Sequence, residues 1–218
     1  MQQVELLDSQ GNDNTVANTA RVSMQFDGSW NDLPEDYTEE QRDKLISYLA
    51  KNHHTSPFRH NSITLRINVP IFLARQLGKH QVGMSWNEVS RRYVKGDVEF
   101  YTPTTWRTVP DGSIKQGSAG THPYSKETQE GYLGFLGYSL SIYNDMLDAG
   151  IAPEQARMVL PQSMMTQVVW TGSLMAFAHV YRLRIDGHAQ VEAQEFAKEL
   201  DSIIRPLWPV SWSALVGT

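Results

Sequence analysis

"NSITLRINVPIFLARQLGKH", residues 61–80, changes its period at Pro70. Before the proline, Ile63, Leu65, Ile67 and Val69 alternate with Ser62, Thr64, Arg66 and Asn68. A two-residue period of that kind marks a half-buried strand. After it, Leu73 and Leu77 fall one helical turn apart, as do Arg75 and Lys79, and Gln76 and His80. Proline lacks an N–H and suits the first residue of a helix. A strand therefore feeds directly into a helix with a core face and a polar, basic face. That basic face runs on into "KHQVGMSWNEVSRRYV" (79–94).

The rest of the chain mixes the same two elements. "TEEQRDKLISYLAKNHH" (38–54) reads as a helix, with Thr38 as N-cap and Gln41 completing a capping box. The acid-rich stretch before it, within residues 27–43, reads as a surface loop. Residues 107–126, rich in Gly, Ser, Thr and Pro, read as a long loop. "SKETQEGYLGFLGYSLSIYNDMLDAG" (125–150) is a long helix, capped by Ser125 and stopped at Gly150. "PEQARMVLP" (153–161) is a short helix and "SMMTQVVWTG" (163–172) a strand. "SLMAFAHVYRLR" (173–184) and "HAQVEAQEFAKELDSIIRPL" (188–207) are helices. No repeating βαβ rhythm joins them. The expectation is an α+β fold: one domain over residues 1–218, with an antiparallel or mixed sheet packed against several helices.

Composition narrows the function. The 218 residues are 40% apolar and 20% charged, as in an ordinary globular protein. A net charge of −5 argues against a general nucleic-acid binder, which needs a broad basic face. The absence of cysteine excludes disulfides, Cys-ligated zinc and a thiolate nucleophile. No basic-then-apolar leader opens the chain, and no apolar run spans a bilayer, so a cytoplasmic protein with no membrane partner is expected. There is no Walker A loop, no G-x-G-x-x-G after a strand and no carboxylate at ligand spacing from His53-His54; a metal site is not expected.

Chemistry concentrates in polar clusters. "NHHTSPFRH" (52–60) supplies histidines and hydroxyls beside a proline turn, and "RQLGKHQ" (75–81) supplies Arg75, Gln76, Lys79, His80 and Gln81. "NEVSRRY" (87–93) holds Ser90, Arg91 and Arg92, a hydroxyl and two guanidinium forks suited to phosphate. Arg157, Arg182 and Arg184 follow. Taken singly, each has a bland alternative. On composition alone "SRRY" reads first as a solvated strand, His53-His54 as a helix end, and His179 as a core histidine. Trp170 and the methionines 164, 165 and 175 read as core.

Their order along the chain resembles the flavin-dependent thymidylate synthases (the ThyX family). The matching stretches are "ARVS" (20–23), "HTSPFRH" (54–60), "PIFLARQ" (70–76), "SWNEVSRRY" (85–93), "QARMVLP" (155–161) and "LRIDGHAQ" (183–190). The resemblance implies reductive methylation of dUMP to dTMP, with carbon from methylenetetrahydrofolate and reducing equivalents from NADPH through FAD. By that likeness Gln76, Glu88, Ser90, Arg91, Arg92, Arg157 and Arg184 hold dUMP. Arg184 is also the catalytic charge beside the uracil. Ser23, His54, Ser56, Lys79, His80, Gln81, Asn87, Glu88, Ser173 and His179 hold FAD. It further implies a homotetramer with shared active sites. Where the family has R-H-R, this chain has Lys79-His80-Gln81, and eight residues separate Gln81 from Ser90. Ser173, Met175 and His179 also depart from the family pattern. All these departures fall on the flavin side. The alternative they raise is a flavin-less homologue that binds a nucleotide without catalysis.

Overall fold

The alternating stretch forms β2 (Ser62–Pro70), with Ile63, Leu65, Ile67 and Val69 fully buried. The structure is a computed structural model describing residues 3–94, 96–110, 112 and 117–217. β2 pairs antiparallel with β1 (Gln3–Gln10) on one side and β4 (Met165–Ser173) on the other. β3 (Met84–Glu88) adds to the far edge of β4, giving the order β1-β2-β4-β3. The sheet is antiparallel throughout, as one of the two expected arrangements. β1 is not foreshadowed by any alternation; the Glu5–Arg66 ion pair at 2.7 Å bridges it to β2.

Helices α1 (Asp13–Arg21), α2 (Glu39–Lys51), α6 (Leu174–Arg184), α7 (Val191–Ile204) and α8 (Pro209–Val216) contribute to the core against β2 and β4. Trp170, Phe177, Phe196, Trp208 and Trp212 fill it, all completely buried. The capping box at Thr38 and Gln41 forms as expected. α4 (Ser125–Asp148) starts with Ser125 inside it; Tyr124 takes the cap position, and Ser125 Oγ accepts from the Trp106 amide at 2.9 Å. Part of the loop expected at 107–126, namely residues 111 and 113–116, lies outside the described residues. Residues 153–161 form only the single turn α5 (Pro153–Ala156) and a 3₁₀ turn over Arg157–Val159. No helix among the described residues is long and apolar enough to cross a membrane.

α3 (Ile71–Leu77) is shorter than its periodicity suggests. Pro70 closes the strand and occupies the N-cap. The helix stops before Gly78, and His80 turns back onto the Leu77 carbonyl at 3.0 Å. Lys79, His80 and Gln81 therefore lie on a turn between α3 and β3, not on a helix face.

Asp13, 5% exposed, clasps the two ends of the fold. Its carboxylate accepts from the amides of Val210 and Ser211 at 3.0 and 2.8 Å, satisfying the first turn of α8. Asp13→Ala is expected to lower stability by about 2 kcal/mol in urea unfolding, more than an exposed cap because the amides are left buried.

Candidate active site

The α3–β3 turn and the start of α6 enclose a cavity of about 440 Å³. Lys79, His80, Gln81 and Gly83 line one side, Ser173, Met175 and His179 the other. Ser173 stands there because it caps α6, its Oγ accepting from the Ala176 amide at 3.2 Å. Gly83 adopts φ +72°, a left-handed conformation that glycine reaches without strain, and its carbonyl accepts from the Ser173 amide. A second cavity of about 420 Å³ shares Lys79, His80, Gln81 and Met84 and adds Arg75, Trp86 and Glu88. The two adjoin across the turn.

His80 lines both cavities and meets Arg184, which lines neither. Arg184 donates to His80 Nε2 from Nε at 3.2 Å, and its Nη2 lies 3.0 Å from the same atom. An imidazole nitrogen that accepts carries no proton, so the ring is neutral with its hydrogen on Nδ1. Burial, then the Arg184 charge, then His179 bring the His80 pKa down to about 4. The His179 ring lies edge-on at 5.7 Å. Burial also pulls Arg184 below the usual guanidinium range. The folded state thus disfavours protonated His80. Its contribution to stability is full above about pH 6.5 and falls as the pH drops toward about 4. Urea midpoints measured across that window should decline less steeply in His80→Gln than in the parent.

Glu88 accepts from Thr166 Oγ1 at 2.8 Å and from the Trp86 indole at 3.3 Å, so its carboxylate is oriented from β4 and from its own strand. Ser90 Oγ accepts weakly from the Arg92 amide at 3.4 Å, closing a turn where the bland reading expects a strand. Arg91 donates to the carbonyls of Gly96 and Asp97, at 2.5 and 2.6 Å, so its fork is engaged by its own loop. Arg92 pairs with Glu154 at 3.5 Å, and Arg157 donates to the Glu154 carbonyl at 3.3 Å. These two arginines therefore gather around α5 and line neither cavity.

Other expected site residues lie elsewhere. Ser23, His54, Ser56 and Asn87 are exposed and line neither cavity. Ser23 donates to the Ala20 carbonyl, and His54 sits edge-on to Tyr48 at 5.8 Å. Arg182 leaves the polar cluster altogether: it donates to the Leu215 carbonyl and ties α6 to α8. Met164, Met165 and Trp170 are core as expected, while Met175, partly buried, packs against the core and also lines the first cavity with Met84. His179 is likewise exposed to that cavity instead of sealed in the core. Arg59 was missed. Pro57 and Phe58 are buried, and the 3₁₀ turn they anchor carries Arg59 to the cavity. The signal was local: a cation directly after a buried Pro-Phe pair.

Known proteins share this architecture. The family described as thymidylate synthase complementing protein matches residues 5–210. The flavin-dependent thymidylate synthase of Thermotoga neapolitana is 34% identical, over 98% of this chain and 90% of its own length. That of Thermus thermophilus is 33% identical, over 97% of this chain and 74% of its own. The chain belongs to the flavin-dependent thymidylate synthase family. Among solved structures, a UMP/dUMP methylase, PolB from Streptomyces cacaoi, bound with 5-Br dUMP, superposes with a TM-score of 0.87 at 30% identity, covering 98% and 94% of the two chains. The same methylase bound with 5-Br UMP gives 0.84 at 29% identity, covering 99% and 94%.

Proposed function

We propose that this enzyme methylates dUMP to dTMP in the cytoplasm, taking carbon from methylenetetrahydrofolate and reducing equivalents from NADPH through bound FAD. The observation that carries the proposal is Arg184 held by His80, whose ring lines a cavity that suits a flavin. Met84, Met175, Val82 and Ala176 offer that cavity an apolar surface for a ring system. Lys79 and Arg59 offer cations for phosphates. FAD, when bound, supplies hydride transfer; the protein supplies binding, orientation and electrostatics. Gln81, Ser173 and His179 would complete its contacts.

Arg184 would carry fixed positive charge at the pyrimidine, where negative charge develops as the ring is reduced. Ser90, Arg92 and Arg157 would grip the phosphate, with Gln76 and Glu88 setting the nucleotide's orientation. Arg92 and Arg157 gather around α5, apart from the cavity walls. This supports sites completed between subunits of a homotetramer, with Arg157 serving a neighbour.

The test is NADPH oxidation dependent on dUMP, with dTMP appearing only when the folate is supplied. A purified protein without flavin absorbance, even after adding FAD, would point to the non-catalytic nucleotide binder instead. The likeness to a methylase of both nucleotides favours a second substrate, UMP, to be assayed beside dUMP.

A further inference from the structure

Glu154 meets two of the arginines expected at the phosphate, each through the same atom. Arg92 Nε lies 3.5 Å from Glu154 Oε2 in an ion pair, and Arg157 Nε donates to the Glu154 carbonyl at 3.3 Å. Among the described residues Nη1 and Nη2 of both side chains donate no hydrogen bond. A guanidinium is a planar fork that can take an oxyanion on its two terminal nitrogens. Anchoring at Nε leaves that terminal pair open on both arginines.

The anchor is firmer than what it holds. Glu154 stands on α5, whose Ala156 is completely buried. The 3₁₀ turn that follows is tied to α4 by Ser139 Oγ, which donates to the Val159 carbonyl at 2.7 Å. Arg92 comes instead from the exposed turn after β3. Its neighbour Arg91 is spent on that loop's own carbonyls, whereas Arg92 reaches across to α5. The pair is 50% and 57% exposed, so it adds little to the stability of the fold. Its value lies in binding: a long side chain already held in place loses less freedom when a ligand arrives.

We infer that Glu154 is a positioning residue for the reaction: its carboxylate holds Arg92 by Nε and keeps the terminal nitrogens free for the phosphate of the nucleotide. This rests on the phosphate assignment of Arg92 proposed above. Both anchors lie within one chain, so the role is the same whether Arg157 meets this subunit's phosphate or a neighbour's. Arg157 is held by the backbone of Glu154, so a substitution of the Glu154 side chain tests Arg92 alone. A carboxylate near a phosphate site also repels it, and a residue that merely competed for Arg92 would act in the opposite direction. The sign of the effect therefore separates the two.

Equilibrium binding of dUMP and steady-state kinetics, on the full chain purified with its flavin, test this. Glu154→Ala should weaken dUMP binding by about three- to tenfold, the scale of one long side chain left to be ordered on binding. The Michaelis constant for dUMP should rise with it while kcat stays near the parent value. Glu154→Gln, which keeps an oxygen for Nε without the charge, should fall between the two. The urea midpoint should not move, since the pair is half exposed. Arg92→Ala alone should weaken dUMP by about tenfold or more, and adding Glu154→Ala to it should change nothing further. Tighter binding of dUMP in either Glu154 variant overturns the inference and makes Glu154 a competitor. The same loss in the absence of Arg92 overturns it too, because the effect then runs through another group. Weak binding in Arg92→Ala beside parent-like binding in Glu154→Ala leaves the phosphate assignment standing and removes Glu154 alone. A parent that fails to bind dUMP, or an Arg92→Ala variant that binds it as the parent does, brings down the phosphate assignment and this inference with it.

Discussion

Arg184→Ala is expected to lower turnover by about 10²–10³-fold, while the fold and the flavin spectrum persist. The loss should fall mainly on kcat, because the charge is needed most where negative charge builds up on the ring. Arg184 is well placed for this role. It is partly desolvated, and a charge in such a setting acts more strongly than one in water. His80 holds it through a neutral lone pair, so the guanidinium is oriented without having its charge cancelled, as a carboxylate partner would cancel it. His80→Phe should therefore reproduce part of the loss while Arg184 remains, and His80→Gln, which keeps an acceptor, should recover some of it. Steady-state kinetics with dUMP varied at saturating NADPH would check all three. Near-parent kcat in Arg184→Ala would remove this residue from the chemistry.

Glu192→Ala is expected to destabilise the protein by about 3 kcal/mol or more in urea unfolding. Its carboxylate is nearly sealed from water, and Arg107 is three-quarters covered, with a side-chain exposure of 24%. Truncation leaves that guanidinium partly buried without its counter-charge and takes the acceptor from the Tyr101 hydroxyl. Removing both charges together, in Glu192→Leu with Arg107→Met, should cost much less than Glu192→Ala, because the penalty lies in the orphaned partner. A double variant no more stable than the single one would assign the cost to packing. The pair matters beyond the core. Arg107 also donates to Ser118 at 2.8 Å, so the same ion pair pins the loop expected at 107–126.

How much of this was visible in the sequence depended on distance along the chain. β2 and α2 were legible because period and capping are local properties of contiguous residues. β1 was not, since "QVELLDSQ" lacks clean alternation and becomes a strand by pairing with β2, about sixty residues away. α8, "PVSWSALV", is apolar on every side and takes its cap contacts from Asp13, up to 198 positions earlier. The site divided in the same way. Lys79, His80 and Gln81 could be picked out by residue type, and they do line a cavity with Ser173 and His179. That His80 would hold Arg184, 104 positions on, could not be read from either segment. Met175 does pack against the core, but that it also lines the cavity could not be read from its residue type.

The Asp13 clasp has a consequence for synthesis. A ribosome extends the chain at about 5–20 residues per second, so α1 emerges many seconds before Val210 and Ser211 exist. Throughout that interval the carboxylate that the finished fold buries has no amides to meet. These contacts span 197 and 198 positions of sequence. A chain cut short of α8 keeps an Asp13 carboxylate without the two amides that it meets in the fold.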